Sequence, residues 1–218
     1  KTTTSTILAH LLQQAGKKAT AFLGGISRNY NTNILLTDKS DVLIIEADEY
    51  DKSFLHIHAD IAIITSVDID HLDTYKDKWD LHLGFKQFAS QVKQKGLLLV
   101  EESIDIKFPQ PYLAKKRTYS SKRRADYFAE NIRVLNGRML FDIIVPDKMQ
   151  KDVEFQMPGL HNINNSIAAL AISYYLGLSL NEISKGLATF EGVSRRYEKH
   201  INTKELVYID DYAHHPVE

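Results

Sequence analysis

Two hydrophobic rhythms run along the chain, and each predicts its own kind of element. From Thr4 to Ala15 the apolar residues Ile7, Leu8, Leu11 and Leu12 recur at helical spacing, and Gly16 is placed to stop the helix. Ala19 to Leu23 is a short apolar run ending in Gly24-Gly25, which reads as a strand and a turn. Asp41 to Glu46 and Asp60 to Thr65 are continuous β-branched runs flanked by polar residues. Runs without polar alternation suit parallel strands buried on both faces. Trp79 to Val92 has a helical pattern through Leu83, Phe85, Phe88, Ala89 and Val92, and Gly96 leads into a strand from Leu97 to Val100. Helix alternating with buried strand predicts an α/β fold with an open, mostly parallel sheet flanked by helices.

The rhythm changes after about residue 110. Ile132 to Leu135 and Met139 to Val145 flank Asn136-Gly137, the pair preferred by a two-residue type I′ hairpin turn. Val153 to Met157 adds a further strand, so a small antiparallel β insertion is expected over about 112–157. Pro158-Gly159 marks the return. An Ala-rich helix is expected from Asn164 to Leu176, closed by Gly177. A second, from Ser179 to Thr189, has Ser179 as its cap and Glu182 at capping-box spacing. Leu206 to Ile209 reads as a final strand.

Composition narrows the field. The chain has 218 residues, 44% hydrophobic and 25% charged, with a formal net charge of −1. That is an ordinary globular composition, with no charge excess to favour nucleic acid or a membrane surface. The basic groups Lys115-Lys116-Arg117 and Lys122-Arg123-Arg124 read as a solvated strand face and loop. Cysteine is absent, which excludes disulfides and thiolate catalysis. No apolar run approaches the roughly 18 residues of a membrane helix.

Candidate chemistry gathers where strands end. Lys1-Thr2-Thr3-Thr4 opens a helix in the manner of a phosphate-binding loop, with Lys facing phosphate and a hydroxyl facing Mg²⁺. The alternative is a helix start rich in capping hydroxyls. The glycines of such a loop do not precede Lys1, so this motif reads as incomplete, and a protein truly starting there is expected to bind ATP weakly. Glu46-Ala47-Asp48-Glu49-Tyr50-Asp51 places four carboxylates just past a buried strand, where open α/β sheets bind ligands and where oxygen donors suit Mg²⁺. A solvated acidic loop is the other reading. Asp68 to Tyr75, with His71 among three aspartates, follows the next buried strand. Asn162 and Asn165 lie three apart beside His161, so the two amides share one helix face and suit an adenine edge; Asn162 could equally serve as a helix cap. Arg195-Arg196-Tyr197-Glu198 offers planar cations for phosphate. Asp210-Asp211-Tyr212-Ala213-His214-His215-Pro216 clusters acid, phenol and imidazole at a strand end.

In this order the motifs resemble those of the Mur ligases: Lys-Thr-Thr of the phosphate loop, the acidic segment at Glu46, Asp-His-x-Asp-x-Tyr at Asp70 to Tyr75, Gly-x-His-Asn-x-x-Asn at Gly159 to Asn165, Arg-Arg-Tyr-Glu at Arg195 to Glu198, and the stretch from Asp210. The last points to the alanine-adding branch. The resemblance implies a cytoplasmic bacterial enzyme that uses ATP and Mg²⁺ to join the lactyl carboxylate of UDP-N-acetylmuramate to L-alanine through an acyl phosphate. It implies a central ATP-binding domain over 1–203 and the first strand of a third domain over 204–218, with a UDP-sugar domain and most of the third domain lying outside the chain. Carried over by position, Lys1 contacts the outer phosphates and Thr2, Glu46 and His71 form the metal site. Thr3, His161, Asn162, Asn165, Asp211 and Tyr212 bind the nucleotide, Arg196 meets the γ-phosphate, and His214 lies near the reacting groups. Some members of the family carry a carbamylated lysine; Lys86 lies in that region and is given no role. The alternatives are a sister ligase attaching a whole peptide and an ATP-binding fragment without activity of its own.

Overall fold

The computed structural model describes residues 1–50, 52–67, 75–107 and 114–213. The first helix, α1 (Thr2–Gln14), begins two residues before the hydrophobic periodicity does and buries Ile7, Leu8, Leu11 and Leu12. Gly16 has φ +70°, a conformation natural to glycine, and turns the chain into β1 (Ala19–Ser27). This strand is parallel to β3 (Val42–Ile45) and antiparallel to β2 (Thr32–Leu35), giving the order β2-β1-β3. The sequence pattern does not announce β2. Its four residues, Thr-Asn-Ile-Leu, are extended because β1 offers them an edge to pair with.

A six-stranded sheet follows the order β4 (Ile61–Ile64), β5 (Leu97–Glu101), β6 (Lys115–Ser120), β7 (Tyr127–Leu135), β8 (Arg138–Val145) and β9 (Lys148–Phe155). It is parallel from β4 to β7 and antiparallel from β7 to β9. The antiparallel strands therefore extend the parallel sheet. The link is short: Tyr119 and Ser120 of β6 pair with Tyr127 and Phe128 before β7 turns to β8.

Strand β5 explains how the core is layered. All five of its residues are buried, and alternate side chains enter different layers. Leu97 and Leu99 join α1, α3 (Leu160–Tyr175) and α4 (Leu180–Thr189). Leu98 and Val100 join Phe54, Phe85 and Phe88, carried by the 3-10 turn Ser53–His56 and by α2 (Lys78–Ser90). Helices on both faces give the α/β architecture that the apolar runs predict.

Helix α3 starts four residues earlier than its periodicity predicts. Gly159, at φ +96°, occupies the N-cap position, so Asn162 is not the cap. Ser179 and Glu182 form the expected capping box on α4. A separate two-stranded antiparallel sheet, β10 (Glu198–Asn202) with β11 (Val207–Asp210), closes the described chain.

Candidate nucleotide and metal site

The N-terminus of α1 meets the carboxyl end of β3, and Glu46 stands at the junction. Its carboxylate accepts hydrogen bonds from Thr2 Oγ1 at 2.8 Å, from the Gly24 backbone N–H at 2.8 Å and from Ser5 Oγ at 3.4 Å. Three elements thus hold one carboxylate: α1, β1 and the strand that delivers it. Two glycines make room. A Cβ on Gly24 would lie 2.5 Å from Glu46 Oε2, and one on Gly25 would lie 3.1 Å from Thr2 Cγ2 and 2.9 Å from Val193 Cγ1. The sequence signals Gly24-Gly25 only as a turn; close approach is what the fold requires of it.

Lys1 is the next neighbour. Its ammonium lies 2.7 Å from Glu49 Oε2 and 3.1 Å from Asp48 Oδ1. Burial works against its charge, but hydrogen bonds and attraction from Glu49 and Asp48 prevail and raise its pKa, so Lys1 stays cationic. The acidic loop is tied from behind. Tyr75, almost wholly buried, donates its hydroxyl to the Glu49 carbonyl at 2.8 Å, and the Lys52 ammonium sits 4.8 Å from the Tyr75 ring centroid.

Arg196 belongs to the same neighbourhood. Its backbone N–H donates to the Val193 carbonyl at 3.1 Å, and Val193 lies against Gly25, beside the Glu46 cradle. Arg195 and Arg196 also face Tyr212, their guanidinium carbons 4.6 Å and 5.9 Å from its ring centroid. The Tyr212 backbone N–H donates to the Arg195 carbonyl at 2.7 Å. Asp211, which is exposed, accepts from the Ala213 N–H. The end of β11 is thereby folded against the arginine pair.

The third group is at the start of α3. Asn165 Oδ1 accepts from Thr4 Oγ1 at 3.1 Å, which links α3 to α1 directly. Asn162 is buried, with its amide nitrogen bonded to the Pro158 carbonyl at 2.7 Å. His161 is exposed, its ring lying over Gly159, where an added Cβ would come within 2.7 Å. Thr3 is buried in α1. Lys86 rests on the Trp79 ring, 5.1 Å from its centroid. His71 and His214 lie outside the described residues.

Thr2 and Glu46 supply hard oxygen donors within hydrogen-bonding distance of each other, which fits a magnesium ion. Glu198, His200 and Asp210 also bring three ligand atoms within 4.8 Å of one another. Arg28 and Arg195 already pair with those two carboxylates, so little negative charge remains there to attract a cation.

Residues 1–173 match the family model of the Mur ligase middle domain. The chain belongs to the Mur ligase family. Over its full length it is 44% identical to the UDP-N-acetylmuramate–L-alanine ligase of Parabacteroides distasonis, of which it covers 47%. Among solved structures it is similar to the UDP-N-acetylmuramate-alanine ligase of Thermotoga maritima, with a TM-score of 0.84 at 26% identity over 100% of this chain and 49% of that one. The MurF ligase of the same organism, solved in complex with ADP, shares the fold at a TM-score of 0.77 and 18% identity, over 96% of this chain and 50% of that one. This Mur ligase chain spans about half the length of the curated relatives it matches. Among its described residues no helix is long and apolar enough to cross a membrane.

Proposed function

We propose that this chain is the ATP-handling part of a UDP-N-acetylmuramate–L-alanine ligase, a bacterial cytoplasmic enzyme of peptidoglycan precursor synthesis. The observation that carries the reading is the Glu46 carboxylate, held between the Thr2 hydroxyl and the Gly24 amide at the start of α1, with the Lys1 ammonium beside it. Residues 1–203 form the central domain and 204–218 begin the next. The identity of the Parabacteroides relative as an alanine ligase supports the alanine-adding assignment over a peptide-adding sister.

The reaction joins a carboxylate to an amine. A carboxylate is a poor electrophile, so it first takes the γ-phosphoryl group of ATP to become an acyl phosphate. The alanine amine then displaces phosphate through a tetrahedral intermediate. The first step brings two anions together, and the chain's cations answer that problem. Lys1 turns from Asp48 and Glu49 to the outer phosphates, and Arg196 meets the γ-phosphate. Thr2 and Glu46 would hold Mg²⁺, which would supply charge to offset that of the phosphates. Thr3, His161, Asn162, Asn165, Asp211 and Tyr212 seat the nucleotide. His71 as a further metal ligand and His214 beside the reacting groups rest on the family resemblance alone.

The test uses a full-length enzyme carrying this domain. Glu46→Gln is expected to lower ADP release by on the order of a hundredfold with both substrates present, the scale of losing one electrostatic contributor. Turnover near that of the parent would reject the metal role. Competition between L-alanine and a tripeptide for the same acceptor separates the alanine-adding enzyme from a recycling ligase.

A further inference from the structure

Arg196, which meets the γ-phosphate in the ligase reading, sits on a strained stretch of backbone. Its two neighbours, Arg195 at φ +62° and Tyr197 at φ +52°, both adopt the left-handed conformation. Residues with a Cβ occupy that region at a cost and stay there only where the surroundings hold them. The arch from Ser194 to Glu198 is tied on two sides. Towards β1, the Ser194 N–H donates to the Ile26 carbonyl at 2.9 Å, and the Arg28 N–H donates to the Gly192 carbonyl at 3.1 Å. Towards β11, the Tyr212 N–H donates to the Arg195 carbonyl at 2.7 Å, and Arg195 Nε lies 3.7 Å from Asp210 Oδ2.

Glu198 stands where these ties meet. Its Oε2 accepts from the Arg195 backbone N–H at 2.8 Å, across the arch, and its Oε1 lies 3.6 Å from Arg28 Nε. Glu198 also faces Asp210 as its direct partner in the β10–β11 pair. Two acids placed opposite each other repel. Arg28 and Arg195 each offset one of them, and His200 Nε2 lies 4.0 Å and 3.9 Å from the two. A neutral residue at this position would suit the strand pair better, but it would break the ion pair that ties the arch to the turn after β1. An acid here therefore serves the arch more than the strands. We propose that Glu198 is a positioning residue for Arg196: by bridging the Arg195 backbone to Arg28, it holds the arch in the shape that carries the Arg196 guanidinium to the γ-phosphate. This role rests on the ligase reading of Arg196, and it gives Glu198 no contact with the nucleotide. The consequence is selective. ADP has no γ-phosphate, so a slack arch weakens ATP and spares ADP, whereas a general loss of structure weakens both.

The experiment uses a full-length enzyme carrying this domain and the variants Glu198→Ala, Arg28→Ala and Arg196→Ala. Calorimetry gives the affinity for Mg-ADP and for a non-hydrolysable Mg-ATP analogue, and steady-state kinetics give kcat. In Glu198→Ala the preference for the ATP analogue over ADP and kcat should each fall about tenfold, less than the loss of a direct transition-state contact, with ADP affinity near that of the parent. Arg28→Ala keeps the Arg195–Glu198 hydrogen bond and frees only the far oxygen. It should move the same ratio the same way by about threefold, the scale of a partly exposed ion pair, so the test stands even where Glu198→Ala fails to fold. Equal weakening of both nucleotides in these two variants makes the role merely structural and overturns the proposal. A parental ratio in both, beside a shifted ratio in Arg196→Ala, overturns the proposal alone. A parental ratio in Arg196→Ala overturns the ligase reading of that arginine and the proposal with it.

Discussion

Glu46 has three hydrogen-bond donors from two elements, α1 and β1, and the carboxylate is more legible in the sequence than its donors. The carboxylate at a strand end stands out in the sequence because four acids follow a buried apolar run. Its donors do not. Thr2 lies 44 positions away and Gly24 lies 22 away, and nothing local in the sequence pairs them. The Gly24 geometry makes a sharp prediction. In Gly24→Ala the new methyl would displace the carboxylate, because the Cβ position lies 2.5 Å from Oε2. In a full-length enzyme kcat/KM for MgATP should fall at least tenfold, while the denaturation midpoint moves little, since Gly24 is exposed. A variant with parental kinetics would show that this carboxylate need not stay where it is.

At the scale of elements, the reliable signals were those carried by burial or capping. The apolar runs before Glu46 and Thr65 became β3 and β4, but neither is covered on both faces: Leu43 and Ile45 of β3 are exposed, and Ile61 and Ile63 of β4 are half-buried. Ser179 and Glu182 form a reciprocal pair: the Ser179 N–H reaches Glu182 Oε2 at 2.8 Å, and the Glu182 N–H reaches Ser179 Oγ at 3.3 Å. Ser179→Ala should therefore destabilise the domain by about 1 kcal/mol, read as a lower urea midpoint at unchanged slope. No change would mean that packing of Leu180, Ile183 and Leu187 alone holds α4. Elements that depend on a distant partner were harder to read. Strand β2 exists because β1 pairs with it, and β10 is mostly exposed and, among the described residues, paired only with β11. Helix α3 gained a turn at Gly159 because a glycine with positive φ can start a helix where the apolar pattern has not yet begun.

The whole molecule is pinned at places the motifs do not mention. His10 is 1% exposed, with Nδ1 3.0 Å from the Tyr30 hydroxyl and Nε2 3.0 Å from the Thr189 hydroxyl, so it joins α1, the turn after β1 and the end of α4. Burial pushes its imidazole down from 6.5 to about 4. A depressed folded pKa means that the unfolded chain binds the proton first as pH falls. The stability contributed by neutral His10 is complete above pH 6.5 and is lost as pH falls from 6.5 towards 4. The total is about 3 kcal/mol, from roughly 1.4 kcal/mol per pH unit. Urea unfolding at pH 7 and pH 5 should show the loss, and His10→Asn should flatten it. An equal slope in that variant would move the effect to other groups.

The sequence by itself determined the α/β class, the apolar strands, the capped helix and the set of polar segments placed after strands. Those features follow from local rules: side-chain period, turn chemistry, and the preference of acids and amides for loops at strand ends. Only the tertiary structure decided which segments meet. It brought Lys1 to Asp48 and Glu49, Thr2 and Gly24 to Glu46, Thr4 to Asn165, and Arg195 to Tyr212. It also divided β5 between two core layers and left a cavity lined by both β3 and β4. The physical reason is separation along the chain: contacts between residues tens of positions apart are set by how helices and sheets stack, which no local pattern encodes.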